Sequence, residues 1–161
     1  MNEMPSGLPS EPEVVEAVLG ASRVLVAIAA RSLAEIAEEV TLPQYRALIV
    51  LAATGPQRVA SLAEALGVTP PTATRMCDRL VRKGLVRRRT AREDRREVRL
   101  SLTVDGQQLV SEVTARRRSE IADLLGKIAP ADQLAMVELF GRLARAAGEI
   151  PDRDWQLDLD V

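Results

Sequence analysis

Histidine is absent from this 161-residue chain. That absence removes serine–histidine and cysteine–histidine nucleophile pairs and every zinc site that needs imidazole. Carboxylate-based chemistry survives it. Aromatic residues are scarce, with only Tyr45, Phe140 and Trp155 present. Three rings cannot build the stacking platforms that hold single-stranded nucleic acid. Cys77 is the single cysteine, so no intrachain disulfide forms, which suits a reducing cytoplasm. Long apolar runs are missing as well. A membrane-spanning helix needs about 20 consecutive apolar residues, whereas the stretch Val24–Ala30 is bounded by Arg23 and Arg31. The start of the chain carries Glu3, Pro5, Glu11 and Pro12 and no basic cluster, unlike a secretory signal. No glycine-rich phosphate cradle, metal-ligand cluster or nucleophile–base set is visible. The chain therefore reads as non-enzymatic, with neither a metal nor a cofactor.

What is present is a globular composition. Apolar residues make up 47% and charged residues 28%, enough for the core of one domain and too apolar for general disorder. The net charge of −1 hides a strong asymmetry. From Arg75 to Arg99 there are eleven basic and four acidic residues, a local balance of +7, against −8 for the remainder. A basic segment within an acidic body is a candidate phosphate-binding surface. The plain alternative is a solvated charged face.

The pattern along the chain is mostly helical. Residues 1–11, with Pro, Ser, Gly and Asn, read as a lead segment. From Pro12 to Glu39, the residues Val15, Leu19, Val26, Ala29, Leu33, Ile36 and Val40 recur at helical spacing. Thr41 and Pro43 open a second helix that stops at Gly55-Pro56. Ser61-Leu62-Ala63-Glu64 has the form of a capping box, and Gly67 closes the short helix it starts. Thr69 with Pro70 opens the next helix after a turn of about three residues, the spacing of a helix-turn-helix. On this helix Ala73, Met76, Cys77, Leu80 and Val81 make an apolar stripe, while Thr72, Arg75, Arg79 and Arg82 fall opposite. Such a face suits a DNA major groove.

After Gly84, residues 85–90 read as a strand. Val98, Leu100 and Leu102 alternate with Arg99, Ser101 and Thr103, the two-residue period of another. The charged stretch between them makes a hairpin tip, a wing. Thr103 and Asp105 begin a long helix with Leu109, Val110, Val113, Ile121, Leu124, Leu125 and Ile128 on one face, broken at Pro130. A last helix over about 131–147 carries Leu134, Val137, Phe140, Leu143 and Ala144, and an acidic tail holding Trp155 follows. The expectation is a single mainly α domain with a small β-hairpin. A DNA-binding lobe over 41–103, with its wing at 85–103, is flanked by helices over 12–40 and 104–150.

Three stretches give this chain a family likeness: Leu42-Pro43-Gln44-Tyr45-Arg46-Ala47-Leu48; Leu62-Ala63-Glu64-Ala65-Leu66-Gly67-Val68 running through Thr72-Ala73-Thr74-Arg75 to Leu80-Val81-Arg82-Lys83-Gly84-Leu85-Val86; and Asp94, Arg96, Val98, Leu102-Thr103 and Gly106. Together they span about residues 40–110, and in them the chain resembles the MarR family of winged helix-turn-helix transcriptional regulators. The resemblance implies a homodimer paired through the end helices, with one winged lobe per subunit on each half of a palindrome in double-stranded DNA. It implies Arg96 in the minor groove, oriented by Asp94, which fits the preference of arginine for a narrow, negative groove. It also implies a small anionic or phenolic effector bound between the dimer helices and the lobe.

The expected DNA contacts are Thr69, Thr72, Thr74, Arg75, Arg79, Arg92, Asp94, Arg95 and Arg96. Thr69 doubles as a helix cap, and Arg75 and Arg79 are suited to guanine edges. Tyr45 is a candidate for an effector pocket or for the core. Cys77, on the apolar stripe, reads as a small buried hydrophobe; peroxide-sensing members of the family share a cysteine near the N-terminus, which this chain lacks. Arg116-Arg117-Arg118 reads as a solvated face rather than a DNA flank contact. Trp155 fits packing on a partner subunit better than ligand binding. The expected function is a cytoplasmic, ligand-relieved repressor. A ligand-independent or architectural DNA-binding protein is the alternative, and a non-catalytic helical adaptor is a more distant one.

Overall fold

The computed structural model describes residues 9–37, 39–90 and 98–149. Helix α1 (Glu11–Ile36) starts where the Glu13 carboxylate accepts bonds from the Ser10 N–H (2.8 Å) and hydroxyl (2.7 Å), with Pro12 in the first turn. Helix α2 (Leu42–Thr54) is capped reciprocally by Thr41 and Gln44. Eight of its thirteen residues are buried, so it has no solvent face of any width. Against it pack α1, α3 (Val59–Leu66), β2 (Val98–Leu102) and α5 (Val104–Leu125), while α4 (Pro70–Arg82), packed on α3, and β1 (Val86–Thr90), paired antiparallel with β2, complete the same core. The core is made by Leu48, Leu62, Leu80, Val86, Leu100, Val110 and Val113, all essentially inaccessible. Helix α6 (Pro130–Ala146) completes the order.

The winged topology matches the expectation from the sequence, and the differences lie at helix ends. Helix α1 stops at Ile36, short of Glu39, because Ala37 leaves the helical region and Val40 is drawn into the core with its N–H on the Ala37 carbonyl. The capping box expected at Ser61 and Glu64 does not form. Helix α3 begins three residues earlier, with Arg58 at the N-cap in place of Ser61, and Ser61 lies inside its first turn. The cause is non-local: Gln57 exchanges backbone bonds with Leu100 (3.0 and 2.8 Å), a rung beside the hairpin that delivers the chain to Val59 already aimed at the core. Helix α5 ends at Leu125 rather than at Pro130. The Gln133 amide spans the turn, donating to the Leu125 and Ile128 carbonyls at 2.9 Å each.

Two close approaches seat α5. The Thr103 hydroxyl donates to the Gly84 carbonyl (2.6 Å) and accepts from the Gly106 N–H (3.0 Å). A Cβ on Gly106 would collide with the Leu85 carbonyl oxygen, so only glycine lets the helix start this near the hairpin. Along its length α5 is stapled to α1 by a polar network. The buried Ser32 hydroxyl lies 2.9 Å from both the Ile28 carbonyl and Glu120 Oε1. Arg31 donates to Glu120 (3.0 Å), and Arg116 pairs with Glu35 (2.8 Å). Arg116 is thus tied to α1 while its side chain stays 49% exposed, in keeping with the solvated face read from the sequence.

The chain ends are less covered. Helix α6 buries none of its residues and exposes Leu134, Val137, Leu139, Phe140 and Leu143. Between it and α1 runs a groove of about 620 Å³ lined by Val14, Val18, Leu25, Leu139, Phe140 and Leu143 among others. No helix among the described residues is long and apolar enough to cross a membrane.

The packing makes two outcomes testable. Cys77 is 1% exposed, and burial raises its thiol pKa, with Arg88 opposing and Asp78 adding to the rise. Cys77→Ser puts a hydroxyl among apolar side chains and should cost about 1–3 kcal/mol. Denaturant unfolding should show that loss, and the native thiol should resist thiol-specific reagents until unfolding. The second concerns Glu120, whose carboxyl is held below its ordinary value of 4.5 by hydrogen bonds from Arg31 and Ser32. A carboxylate depressed in the folded state adds stability that is complete above its unfolded pKa. That stability is lost as pH falls through the folded one. Glu120→Gln should therefore lower stability near neutral pH, and the parent and variant should converge as pH is taken below about 4. Parallel curves across that range would contradict the staple.

Candidate nucleic-acid interface

Helices α3 and α4 meet through Gly67 at φ +64, a left-handed turn that closes α3 with the Val68 N–H on the Ala63 carbonyl (3.0 Å). Helix α4 buries Ala73, Cys77 and Leu80 and turns Thr74, Arg75, Arg79 and Arg82 fully outward, with Thr72 half-buried. The arginines thus stand on the face away from the core, as the stripe predicts. Arg79 and Arg82 also lie in the last turn, where positive charge complements the helix dipole.

The threonines behave less simply than their positions suggest. Thr69 occupies the N-cap position, but its hydroxyl bonds to that of Thr72 (3.0 Å) and not to the helix backbone. Two hydroxyls are therefore paired at the helix N-terminus, where Pro70 and Pro71 carry no N–H and the Ala73 N–H bonds the Thr69 carbonyl (3.0 Å). The Thr74 hydroxyl bonds back to the Pro70 carbonyl (2.9 Å).

The hairpin extends the basic surface. In the register Val86↔Leu102, Arg88↔Leu100, Thr90↔Val98, one face turns Val86, Leu100 and Leu102 into the core. The other carries Arg87, Arg89, Arg99 and Ser101. Arg87 donates to the Ser101 hydroxyl (3.1 Å), and Arg89 sits directly across from Arg99. Arg88, at the margin of the inner face, reaches back to Asp78 of α4 at 2.5 Å. That ion pair links α4 to the hairpin and balances the acidic charge of Asp78. Lys83 pairs with Glu39 (3.3 Å) just behind it.

The structure thus leaves Thr69, Thr74, Arg75 and Arg79 exposed, with Arg75 and Arg79 one turn apart on the outer face of α4, Thr72 half-buried and Thr69 at the N-cap. Arg92, Asp94, Arg95 and Arg96, expected at the wing tip, lie outside the described residues. Arg87, Arg89 and Arg99 were not among the expected contacts. Their signal was the alternation about Val86 and Leu100, which puts Arg87 and Arg89 on one side and Arg88 on the other. Tyr45 is buried, 4% exposed, with its hydroxyl 3.3 Å from that of Thr114, and lines neither the α1–α6 groove nor the smaller cavity beside α2. Its observed place is in the core.

Comparison with known proteins gives one answer. A family model described as MarR family matches residues 40–98. The HTH-type transcriptional repressor MdtR of Bacillus subtilis is 35% identical over 108 residues, covering 67% of this chain and 70% of that protein. The crystal structure of RV1404 from Mycobacterium tuberculosis is similar at 40% identity and a TM-score of 0.83, covering 90% of this chain and 99% of that one. The fold also matches Bordetella bronchiseptica BpsR, at 24% identity and a TM-score of 0.62, over 86% of this chain and 98% of that one. That structure concerns regulation of DNA binding by 6-hydroxynicotinic acid. With its helix-turn-helix, hairpin and flanking helices in this order, the chain belongs to the MarR family of non-enzymatic, DNA-binding transcriptional regulators.

Proposed function

We propose that this regulator is a cytoplasmic repressor that binds a palindromic operator in double-stranded DNA as a homodimer and is released by a small anionic or phenolic effector. The observation that carries this reading is the continuous basic surface formed by the outer face of α4 and the outer face of the hairpin. In this reading Arg75 and Arg79 meet base edges in the major groove and Thr69, Thr72 and Thr74 lie near the flanking phosphates, which the exposure of both arginines supports. Arg96, oriented by Asp94, meets the neighbouring minor groove, and Arg92 and Arg95 add positive charge beside it. Arg89 and Arg99 face each other across the two strands and add positive charge that suits a phosphate.

The homodimer rests on surface area. Helix α6 has no buried residue, and α1 exposes Val14, Val15, Val18, Leu19, Val24 and Val26. A monomer would leave both faces in water, at a cost proportional to their area. The relative MdtR is named a repressor, and the DNA binding of BpsR is regulated by 6-hydroxynicotinic acid. Both support the corresponding parts of the reading.

The test is operator affinity across single-base variants at several salt concentrations. A bidentate arginine–guanine contact is worth about 1–3 kcal/mol and is lost on a wrong base. Arg75→Ala should therefore relax preference at one or two positions per half-site. Arg96→Ala should instead weaken binding to sites with A·T-rich flanks and lower the salt slope by about one charge per subunit. Sedimentation of the same samples should give a dimer at micromolar concentration. A folded monomer, or an Arg96→Ala variant with unchanged affinity and salt slope, counts against the reading.

A further inference from the structure

At the C-terminus of α6 the chain folds back. Gly148 takes φ +71, and the Glu149 N–H reaches the Ala144 carbonyl (2.9 Å), a left-handed helix ending. This turn sets the Glu149 carboxylate on Arg46 of α2, more than a hundred residues away in sequence. Both oxygens are engaged, at 2.6 and 2.8 Å from the two terminal nitrogens of the guanidinium. The parallel two-bond geometry is the one by which arginine recognises carboxylates in general. Both side chains remain partly open to solvent, 47% and 39% exposed. Behind the pair lies a cavity of about 250 Å³, lined by Ile49, Val50, Ala53, Thr54, Ala65 and Ala147.

We propose that Arg46 and this cavity form a binding site for a small monocarboxylic acid with an apolar body, and that Glu149 is its resident plug. The incoming carboxylate takes the place of the Glu149 carboxylate on Arg46. Its hydrocarbon body enters the space between α2, α3 and the end of α6, where Thr54 adds a polar group at the rim. A few polar groups on an otherwise apolar concavity are the usual make-up of a small-ligand site. Glu149 is a fitting competitor because it is tethered; such a group acts at an effective concentration of about millimolar. The acid is therefore sensed only when abundant. When it binds, the side-chain bond joining the end of α6 to α2 is broken, and α2 carries the DNA-binding lobe. As a control point the site rests on the effector-relieved reading above; as a binding site it stands on the Arg46 geometry.

Calorimetric titration of the full-length protein with hexanoate, hexanamide and acetate tests it. Hexanoate should bind the parent weakly and Glu149→Ala about two- to fivefold more tightly, the release expected of a partly exposed ion pair. Arg46→Met should remove binding in both backgrounds. Hexanamide lacks the charge and acetate lacks the apolar body, so each should bind at least tenfold more weakly than hexanoate. Circular dichroism keeps the comparison to folded samples, and Glu149→Gln, which removes the charge at constant size, should move affinity in the same direction. Equal hexanoate affinity in the parent and both Glu149 variants overturns the site, as does binding that survives Arg46→Met. Operator affinity measured with and without hexanoate separates the two levels. Binding without a change in DNA affinity upholds the site and overturns its role as an effector pocket.

Discussion

The burial of α2 on nearly every side is the condition on which the other elements depend. A helix with eight of thirteen residues buried cannot sit at a surface, so neighbours must wall it in. Leu62 of α3, Cys77 and Leu80 of α4, Val86 and Leu100 of the hairpin, and Val110 and Val113 of α5 supply those walls. Each neighbour turns one stripe to the core and is left with one outward face. On α4 and the hairpin, that outward face is basic. The basic surface proposed to meet DNA is therefore held by the same contacts that hold the core, and its arginines project from packed elements.

Charge is then sorted locally. A chain of net charge −1 has no general attraction for a polyanion, so its basic residues must be concentrated and its nearby acids neutralised. Asp78 lies within the basic segment and is paired with Arg88, and Glu39 is paired with Lys83 at its edge. Other acids are used far from that face: Glu35 and Glu120 bind Arg116 and Arg31 between α1 and α5. Exposed ion pairs of this kind add little stability individually. Their larger effect here is on where positive potential remains.

What could be read from the sequence was what depends on short-range periodicity. The stripe Ala73, Met76, Cys77, Leu80, Val81 and the alternation Val98, Leu100, Leu102 are properties of adjacent turns and residues; the structure buries Ala73, Cys77, Leu80, Leu100 and Leu102, partly buries Met76 and Val81, and leaves Val98 exposed. The caps at Thr41 and Thr103, whose partners lie three residues away, match the structure. What escaped was set by contacts across the chain. Ser61-Leu62-Ala63-Glu64 has the form of a helix start, yet the rung between Gln57 and Leu100 starts α3 earlier. The partner of Arg116 is on α1, and that of Arg46 lies just past α6. Tyr45 left two readings open from its type alone, and burial decides its place: an almost closed core position.

The two ends of the fold differ in how firmly they are held, and that difference bears on control. Helix α5 is bound to the lobe through Val110, Val113, Gly106 and the Thr103 cap, all buried or bonded. Helix α6 has no buried residue, and its end meets the lobe through a partly exposed ion pair. Breaking the first set would open the core; breaking the second costs no core packing. An equilibrium can be shifted by a ligand only as far as the ligand's preference for one state exceeds the cost of reaching it. For a weakly held junction that cost is small, so modest binding energy suffices to change how α6 sits against α2. The proposed effector control of the DNA-binding lobe is therefore most readily exerted at this junction, where a helix with no buried residue meets the helix that the lobe is built around.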